Sequence, residues 1–168
     1  QNLYISGLIS YPRTSSQQLP PAIGFKKILQ DLSGNPNYAK LCSELLAKPS
    51  LNPNNGSKTD PAHPAIYPTG IMPNDLSEQE RKVYDLIVKR FMAVFGEPAI
   101  RGSVKVSIDV NSEIFIAQGI TTIKPGWHRF YEPYGKLKEE ELPEMEKGEA
   151  VAVKEIKLLQ KETLPPKR

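Results

Sequence analysis

A single cysteine, Cys42, stands in 168 residues. One thiol excludes an internal disulfide framework and any cysteine-built zinc site within the chain. Long apolar runs are missing too. None approaches the ~18 residues that cross a bilayer, and no signal-peptide pattern opens the chain. A cytoplasmic address with no membrane partner is the default expectation. No Asp-x-Asp cluster is present, and the net charge is only +3, which by itself does not point to nucleic acid. What the chain has in excess is proline. Sixteen residues are about double the usual share of roughly 5%, which favours stiff connections over long regular elements.

The length suits one ordinary domain or two small ones, with enough core to fold without staples. The chain opens on Gln1 and closes on "TLPPKR", so it reads as an excised piece of something longer. Charge is unevenly spread. Residues 1–70 hold six bases and three acids, whereas the remainder balances 16 against 16. All the excess lies in the first part. A solvated basic face is the plain reading of that excess.

Residues 3–11 alternate loosely and end at Tyr11, which Pro12 biases toward an extended backbone. "AIGFKKILQDLSG" has helical spacing at Ile23, Lys27 and Ile28, with Gly34 as its stop. "PNYAKLCSELLAKP" predicts a second short helix, opened by Pro36, with Tyr38, Leu41, Leu45 and Leu46 on one side. Residues 49–76, rich in proline, asparagine, glycine and serine, read as a long loop of the kind that is usually functional or disordered. "DLSEQERKVYDLIVKRFMAVFGEP" is the clearest helix. Ser77 and Glu80 form a capping box, Val83, Ile87, Phe91 and Phe95 make the apolar stripe, and Gly96 and Pro98 end it.

Beyond Pro98 the period changes. "SVKVSIDV" and "EIFIAQGI" alternate around Asn111-Ser112, a hairpin signature. "WHRFY" and "EAVAVKEIKLLQKE" predict further strands, separated by an acidic, proline-containing connection at 136–148. The expected class is α+β: a helical, tyrosine-bearing segment at 1–96, then an antiparallel β-rich segment at 97–168. Phe130, Tyr131 and Tyr134 are aromatics that would stack on bases. Packing in the core and hairpin is the plainer expectation for them.

"LYISGLISYPRTSS" carries the chemistry. In an extended backbone residues i and i+2 share a face, so Tyr11 and Arg13 project together with Pro12 stiffening the link. A phenol ionises near pH ~10 and is a weak nucleophile at neutrality. A guanidinium beside it favours the phenolate, binds a phosphate bidentately and faces the charge of a phosphorane-like transition state. That pairing suits attack on a phosphodiester to give a phosphotyrosine link. Read without context, the same spacing also fits a half-buried tyrosine beside a surface ion pair.

The stretch resembles the active-site motif of type IA DNA topoisomerases, Gly-x-Ile-(Ser/Thr)-Tyr-x-Arg-Thr, and Gly7, Ile9, Ser10, Tyr11, Arg13 and Thr14 all match it. Pro12 is similar to the archaeal, topoisomerase III and reverse gyrase branches. "AHPAIYPT" at 62–69 resembles the family's Ala-His-x-Ala-Ile-x-Pro-(Thr/Ser) loop, and "TLPPKR" its Thr-x-Pro-Pro-x-Arg. The three segments occur in the family's order over nearly the whole chain.

The resemblance implies that Tyr11 attacks single-stranded DNA, leaving a 5′-phosphotyrosine and a free 3′-hydroxyl, and that religation then changes DNA topology. It implies that Arg13 clamps the phosphate and that His63 approaches it, with Arg13, Thr14, Ser15 and His63 against the DNA. His63, between Pro61 and Pro64 in a stiff loop, would turn donor beside a phosphate; His128 matches no motif. One position departs from the pattern: Ser15 stands where many members carry an acid. Resemblance also implies Mg2+ in the full-length enzyme, its ligands outside this chain, and the remaining domains of the same polypeptide as partners. Residues 1–96 would be part of the tyrosine-bearing domain III, and 97–168 part of the β-rich domain II, hinged near Gly96-Glu97-Pro98. Two other readings stand beside it. One is a non-catalytic module binding single-stranded DNA. The other, a phosphotyrosine-forming recombinase, needs its tyrosine near the C-terminus.

Overall fold

A computed structural model describes residues 1–163. Of "TLPPKR", only Thr163 falls within them, so that motif lies outside the described residues. The elements run α1 (Asn2–Ile5), a 3-10 turn (Pro21–Ile23), α2 (Phe25–Leu32), α3 (Pro36–Leu46), α4 (Glu78–Ala93), β1 (Ile100–Val110), β2 (Glu113–Lys124) and α5 (His128–Tyr131). Helices precede a two-stranded antiparallel sheet, which is the expected α+β order. No helix among the described residues is long and apolar enough to cross a membrane.

The first segment differs from the extended run its alternation predicts. Residues 2–5 close one helical turn, and Gly7, at φ +71°, turns the chain in the left-handed region that glycine enters freely. Leu8 and Ile9 are then both buried in succession, so no single face alternates. Ile9 forms an isolated antiparallel bridge to Pro68.

The helices follow their caps closely. Asn35 accepts the Asn37 N–H at 3.0 Å and Pro36 occupies the first turn of α3. At α4 the capping box forms as expected. Ser77 Oγ accepts the Glu80 N–H at 3.3 Å while Glu80 Oε2 accepts the Ser77 N–H at 3.0 Å. The apolar faces match expectation in part: Tyr38, Leu45, Phe91 and Phe95 are buried, while other positions shift. On α3 the buried positions are Tyr38, Cys42 and Leu45, with Leu41 and Leu46 only flanking. On α4 they are Tyr84, Val88, Phe91, Met92 and Ala93, while Val83 is 48% exposed. The reason is chemical. A tyrosine ring turns inward when its hydroxyl finds an acceptor, and Tyr84 donates to the Ile71 carbonyl at 3.2 Å.

These faces meet in one core with Leu3, Leu8, Ile9, Leu19 and the α2 residues Phe25, Ile28, Leu29 and Leu32. Phe25, Phe91 and Phe95 form an aromatic triangle with ring centroids 5.0 to 6.4 Å apart, in the tilted and edge-on geometries that quadrupoles favour.

β1 and β2 form the hairpin that the alternation predicts, Val110 facing Glu113 across Asn111-Ser112. Both turn residues have positive φ, 51° and 72°, as a two-residue turn matched to strand twist requires. The two other expected strands are absent. "WHRFY" is the single-turn helix α5, because its Phe130 is drawn into the helical core with Trp127 and Tyr131 packed around it. Residues 149–162 alternate but take no regular form and are exposed. A strand exists only where its backbone groups meet a neighbour, and none of the described residues supplies one there. Among the described residues the arm's one further pairing is the bridge of Ile120 with Glu140.

The hairpin leaves the helical body at Glu97-Pro98 and returns at Gly126-Trp127. At Gly126 a Cβ would lie 2.5 Å from the Glu97 and Pro98 carbonyl oxygens, and the Trp127 N–H donates to the Glu97 carbonyl at 2.8 Å. The returning chain is tied down by polar contacts. Arg129 pairs with Glu44 at 2.6 Å, Lys48 reaches both Glu97 and the Phe95 carbonyl, and the Tyr134 hydroxyl donates to Asp85 at 2.8 Å. Asp85 also accepts from Tyr38 at 3.0 Å and pairs with Lys89 at 3.1 Å. The aromatics that would stack on bases are thus engaged: Phe130 in the core, Tyr134 on Asp85.

Candidate active site

Two of the sequence motifs are hydrogen-bonded to each other. The Ser10 N–H donates to the Tyr67 carbonyl at 2.9 Å, and Ser10 Oγ accepts the Tyr67 N–H at 2.9 Å. The Thr69 N–H donates to the Leu8 carbonyl at 3.0 Å, and its hydroxyl donates to the Gly7 carbonyl at 2.6 Å. Beyond the tyrosine the pairing resumes, with Ala65 N–H on the Gln18 carbonyl at 2.8 Å and Gln17 N–H on the Lys58 carbonyl at 2.8 Å. Residues 7–18 are therefore zipped to residues 56–69 on both sides of Tyr11. Prolines at 61, 64 and 68 restrict the second partner further.

This zipper carries His63 to Tyr11. Their ring centroids lie 4.5 Å apart at 40°, although 52 positions separate them in sequence. Both rings are half-buried and neither belongs to the core. On its other side Tyr11 meets Tyr4 edge-on, at 5.4 Å and 76°, and Tyr4 is itself exposed. Arg13 is exposed as well. Among the described residues its guanidinium makes neither an ion pair nor a cation–π contact. Its donor fork is open to solvent, as a site for a diffusing anion needs.

Thr14 and Ser15 differ in employment. Thr14 Oγ1 accepts the Ser16 N–H at 3.0 Å and makes a long, 3.4 Å contact to the His63 carbonyl, so this hydroxyl braces the loop. Ser15 is exposed. An acid does stand beside Ser15, but it comes from the other segment. Asp60 Oδ1 accepts the Ala62 N–H at 2.9 Å and the His63 N–H at 3.0 Å. These two bonds, Ala62 first, hold the Asp60 carboxyl below the usual carboxylate range, with smaller help from the His63 charge and the Ser15 N–H.

The structure brings Tyr11, His63 and Thr14 into one patch and leaves Arg13 exposed at its edge. His128 is elsewhere, stacked on Trp127 at 3.7 Å, its buried Nδ1 without a hydrogen-bond partner among the described residues. Sequence reasoning missed Tyr4, an aromatic with no motif of its own, and Asp60. The signal for Asp60 was present in "DPAH", because an aspartate ahead of a turn takes the backbone N–H groups two and three residues on. No group of three or more His, Cys, Asp or Glu side chains among the described residues is placed to hold a metal.

The patch is chemically simple: an accessible phenol, an imidazole against it and an exposed guanidinium. Comparisons with known proteins place it in a family. A family model described as DNA topoisomerase matches residues 1–168. DNA topoisomerase 1 of Methanothermobacter thermautotrophicus is 47% identical over 168 residues, which are 100% of this chain and 23% of that protein. DNA topoisomerase 1 of Pyrococcus horikoshii is 49% identical over 170 residues, 100% of this chain and 25% of that protein. Human DNA topoisomerase 3-alpha is 30% identical over 167 residues, 99% of this chain and 16% of that protein. The chain thus spans about a quarter or less of these relatives. With a model matched from end to end, and with both motifs joined in one hydrogen-bonded patch, the chain belongs to the type IA DNA topoisomerase family.

Proposed function

We propose that this chain is the tyrosine-bearing part of an enzyme that relaxes supercoiled DNA by cutting and resealing one strand. The observation that carries the reading is the approach of His63 to Tyr11, ring centroids 4.5 Å apart, across two motifs distant in sequence. Tyr11 Oη attacks phosphorus in a single-stranded segment. A bond forms from phosphorus to the phenol oxygen, and the bond from phosphorus to the 3′ oxygen breaks. The phenol gives up its proton and the departing 3′ oxygen takes one up. The products are a 5′-phosphotyrosine and a 3′-hydroxyl.

Arg13 binds the non-bridging oxygens bidentately, and its fixed charge offsets the charge that builds on them. His63 donates a second hydrogen bond to the same oxygens in its doubly protonated form. Resealing reverses the exchange. The phosphoester bond is conserved throughout, so no nucleotide cofactor is consumed. Mg2+ belongs to this reading only through other parts of the polypeptide. The described residues offer no donor set for it, and no step here passes through the metal.

In the same reading residues 1–96 belong to the tyrosine-bearing domain and 97–168 to the β-rich one, in a cytoplasmic enzyme. α5 then docks the second onto the first, and the hinge near Gly96 lies beside the hairpin's return at Trp127. The test is Tyr11→Phe in the full-length enzyme. Relaxation of negatively supercoiled DNA and the covalent adduct should both be lost. Undiminished relaxation would eliminate the assignment.

A further inference from the structure

The histidine loop has an unusual economy of donors. Pro61 and Pro64 carry no backbone N–H, so residues 61–64 hold only two amide hydrogens, those of Ala62 and His63. One carboxylate oxygen takes both, Asp60 Oδ1 at 2.9 and 3.0 Å. The loop's pitch therefore hangs on that single acceptor. On the carbonyl side, the His63 oxygen is met by Thr14 Oγ1. His63 is gripped at its nitrogen by Asp60 and at its oxygen by the residue that follows Arg13. Between these two grips the imidazole is presented to the Tyr11 ring.

We propose that Asp60 is a positioning residue, whose acceptor oxygen sets the backbone that holds His63 against Tyr11. The proposal rests on the reading of Tyr11 as nucleophile and His63 as phosphate donor. Asp60 lies outside the catalytic contacts and reaches no reacting atom. Its carboxyl is held below the usual carboxylate range by the same two N–H groups, so it stays an acceptor across the neutral range. Asparagine has the same carbonyl oxygen at the same place and adopts the same turn. Alanine has none, which leaves two N–H groups in a stiff loop to seek water instead.

The experiment measures the initial rate of covalent adduct formation on a single-stranded oligonucleotide by the full-length enzyme. Asp60→Ala should slow it about tenfold, the rate equivalent of losing bonds to a charged acceptor. Asp60→Asn should stay within about twofold of the parent, since the acceptor is kept. In a His63→Ala background, Asp60→Ala should cost less than about twofold, because residues that act through one another are not additive. A parental rate in Asp60→Ala, equal slowing in Asp60→Asn, or a repeat of the tenfold loss without His63 would each overturn the proposal. Asp60→Asn also serves as the folding control. The underlying reading fails separately: adduct formed by Tyr11→Phe removes the nucleophile and this proposal with it. Loss of adduct in Tyr11→Phe beside undiminished adduct in Asp60→Ala removes the positioning role alone.

Discussion

The helical body and the hairpin arm are built on opposite terms. In the body, apolar side chains from α2, α3 and α4 converge until Leu29, Cys42, Leu45, Val88 and Met92 have no exposed surface at all. In the arm the same residue types face water: Ile114 is 59% exposed, Ile116 57% and Ile123 65%. A two-stranded hairpin is marginal in isolation, and here Leu142 covers only the buried Gly119. The difference teaches where folding free energy resides. The body is stabilised by burial, at roughly 25 cal/mol per Å² of apolar surface removed from water. The arm holds together by its ladder, its turn and its roots at Glu97 and Trp127.

The largest expected effect tests that division directly. Phe91→Ala should destabilise the chain by about 3–5 kcal/mol, because it opens the aromatic triangle in a core with little room to collapse. Ile114→Thr on the arm should cost less than ~0.5 kcal/mol. Both are read from denaturant unfolding, and similar costs at the two sites would break the comparison.

A second test uses proton linkage. Burial pushes the Tyr84 hydroxyl up to about 12, and burial with the Asp85 carboxylate pushes Tyr134 up to about 12. Tyr38 is raised by burial and the same aspartate. These groups keep their protons in the folded state after the unfolded chain loses its own near pH ~10. The native state then binds more protons, so stability falls as pH rises. It should be intact below pH ~10 and decline between there and pH ~12, with Tyr84→Phe flattening the slope. An alkaline profile flat to pH ~12 would mean that these hydroxyls do not serve the body. The smallest effect belongs to the arm. Ser112 sits at φ 72°, which costs a side-chain-bearing residue about 1–2 kcal/mol. Ser112→Gly should slow amide exchange at the strand ends by about twofold, after glycine's own entropy is deducted, with no change in the body's unfolding.

Much of this was legible in the sequence where local chemistry decides structure. The capping box at Ser77, the Pro36 start of α3 and the Asn111-Ser112 turn each act within four residues, and each stands where expected. Failures came where a distant partner decides. "WHRFY" has strand composition, yet the pull of Phe130 into a core made by other helices winds it into α5. Of the α4 stripe Phe91 and Phe95 are buried as expected, but Tyr84 takes the inward place of Val83 because it found the Ile71 carbonyl, which helical periodicity does not contain. The resemblance already put Tyr11 and His63 at one phosphate, but the bonds that join the two motifs were not legible. Nothing in either motif announces that Ser10 and Tyr67 are hydrogen-bonded, whereas Asp60 left a local sign in "DPAH".

The double bond-pair between Ser10 and Tyr67 has a mechanical meaning. The peptide just ahead of Tyr11 is stitched by two hydrogen bonds to the segment four residues beyond His63. The two rings therefore ride on a common plate. Any swing that lifts the phenol away from the rest of a larger assembly lifts the imidazole with it, in register. Under the proposed reaction, a strand end tethered to that oxygen would travel with the imidazole alongside, ready for rejoining when the plate comes back.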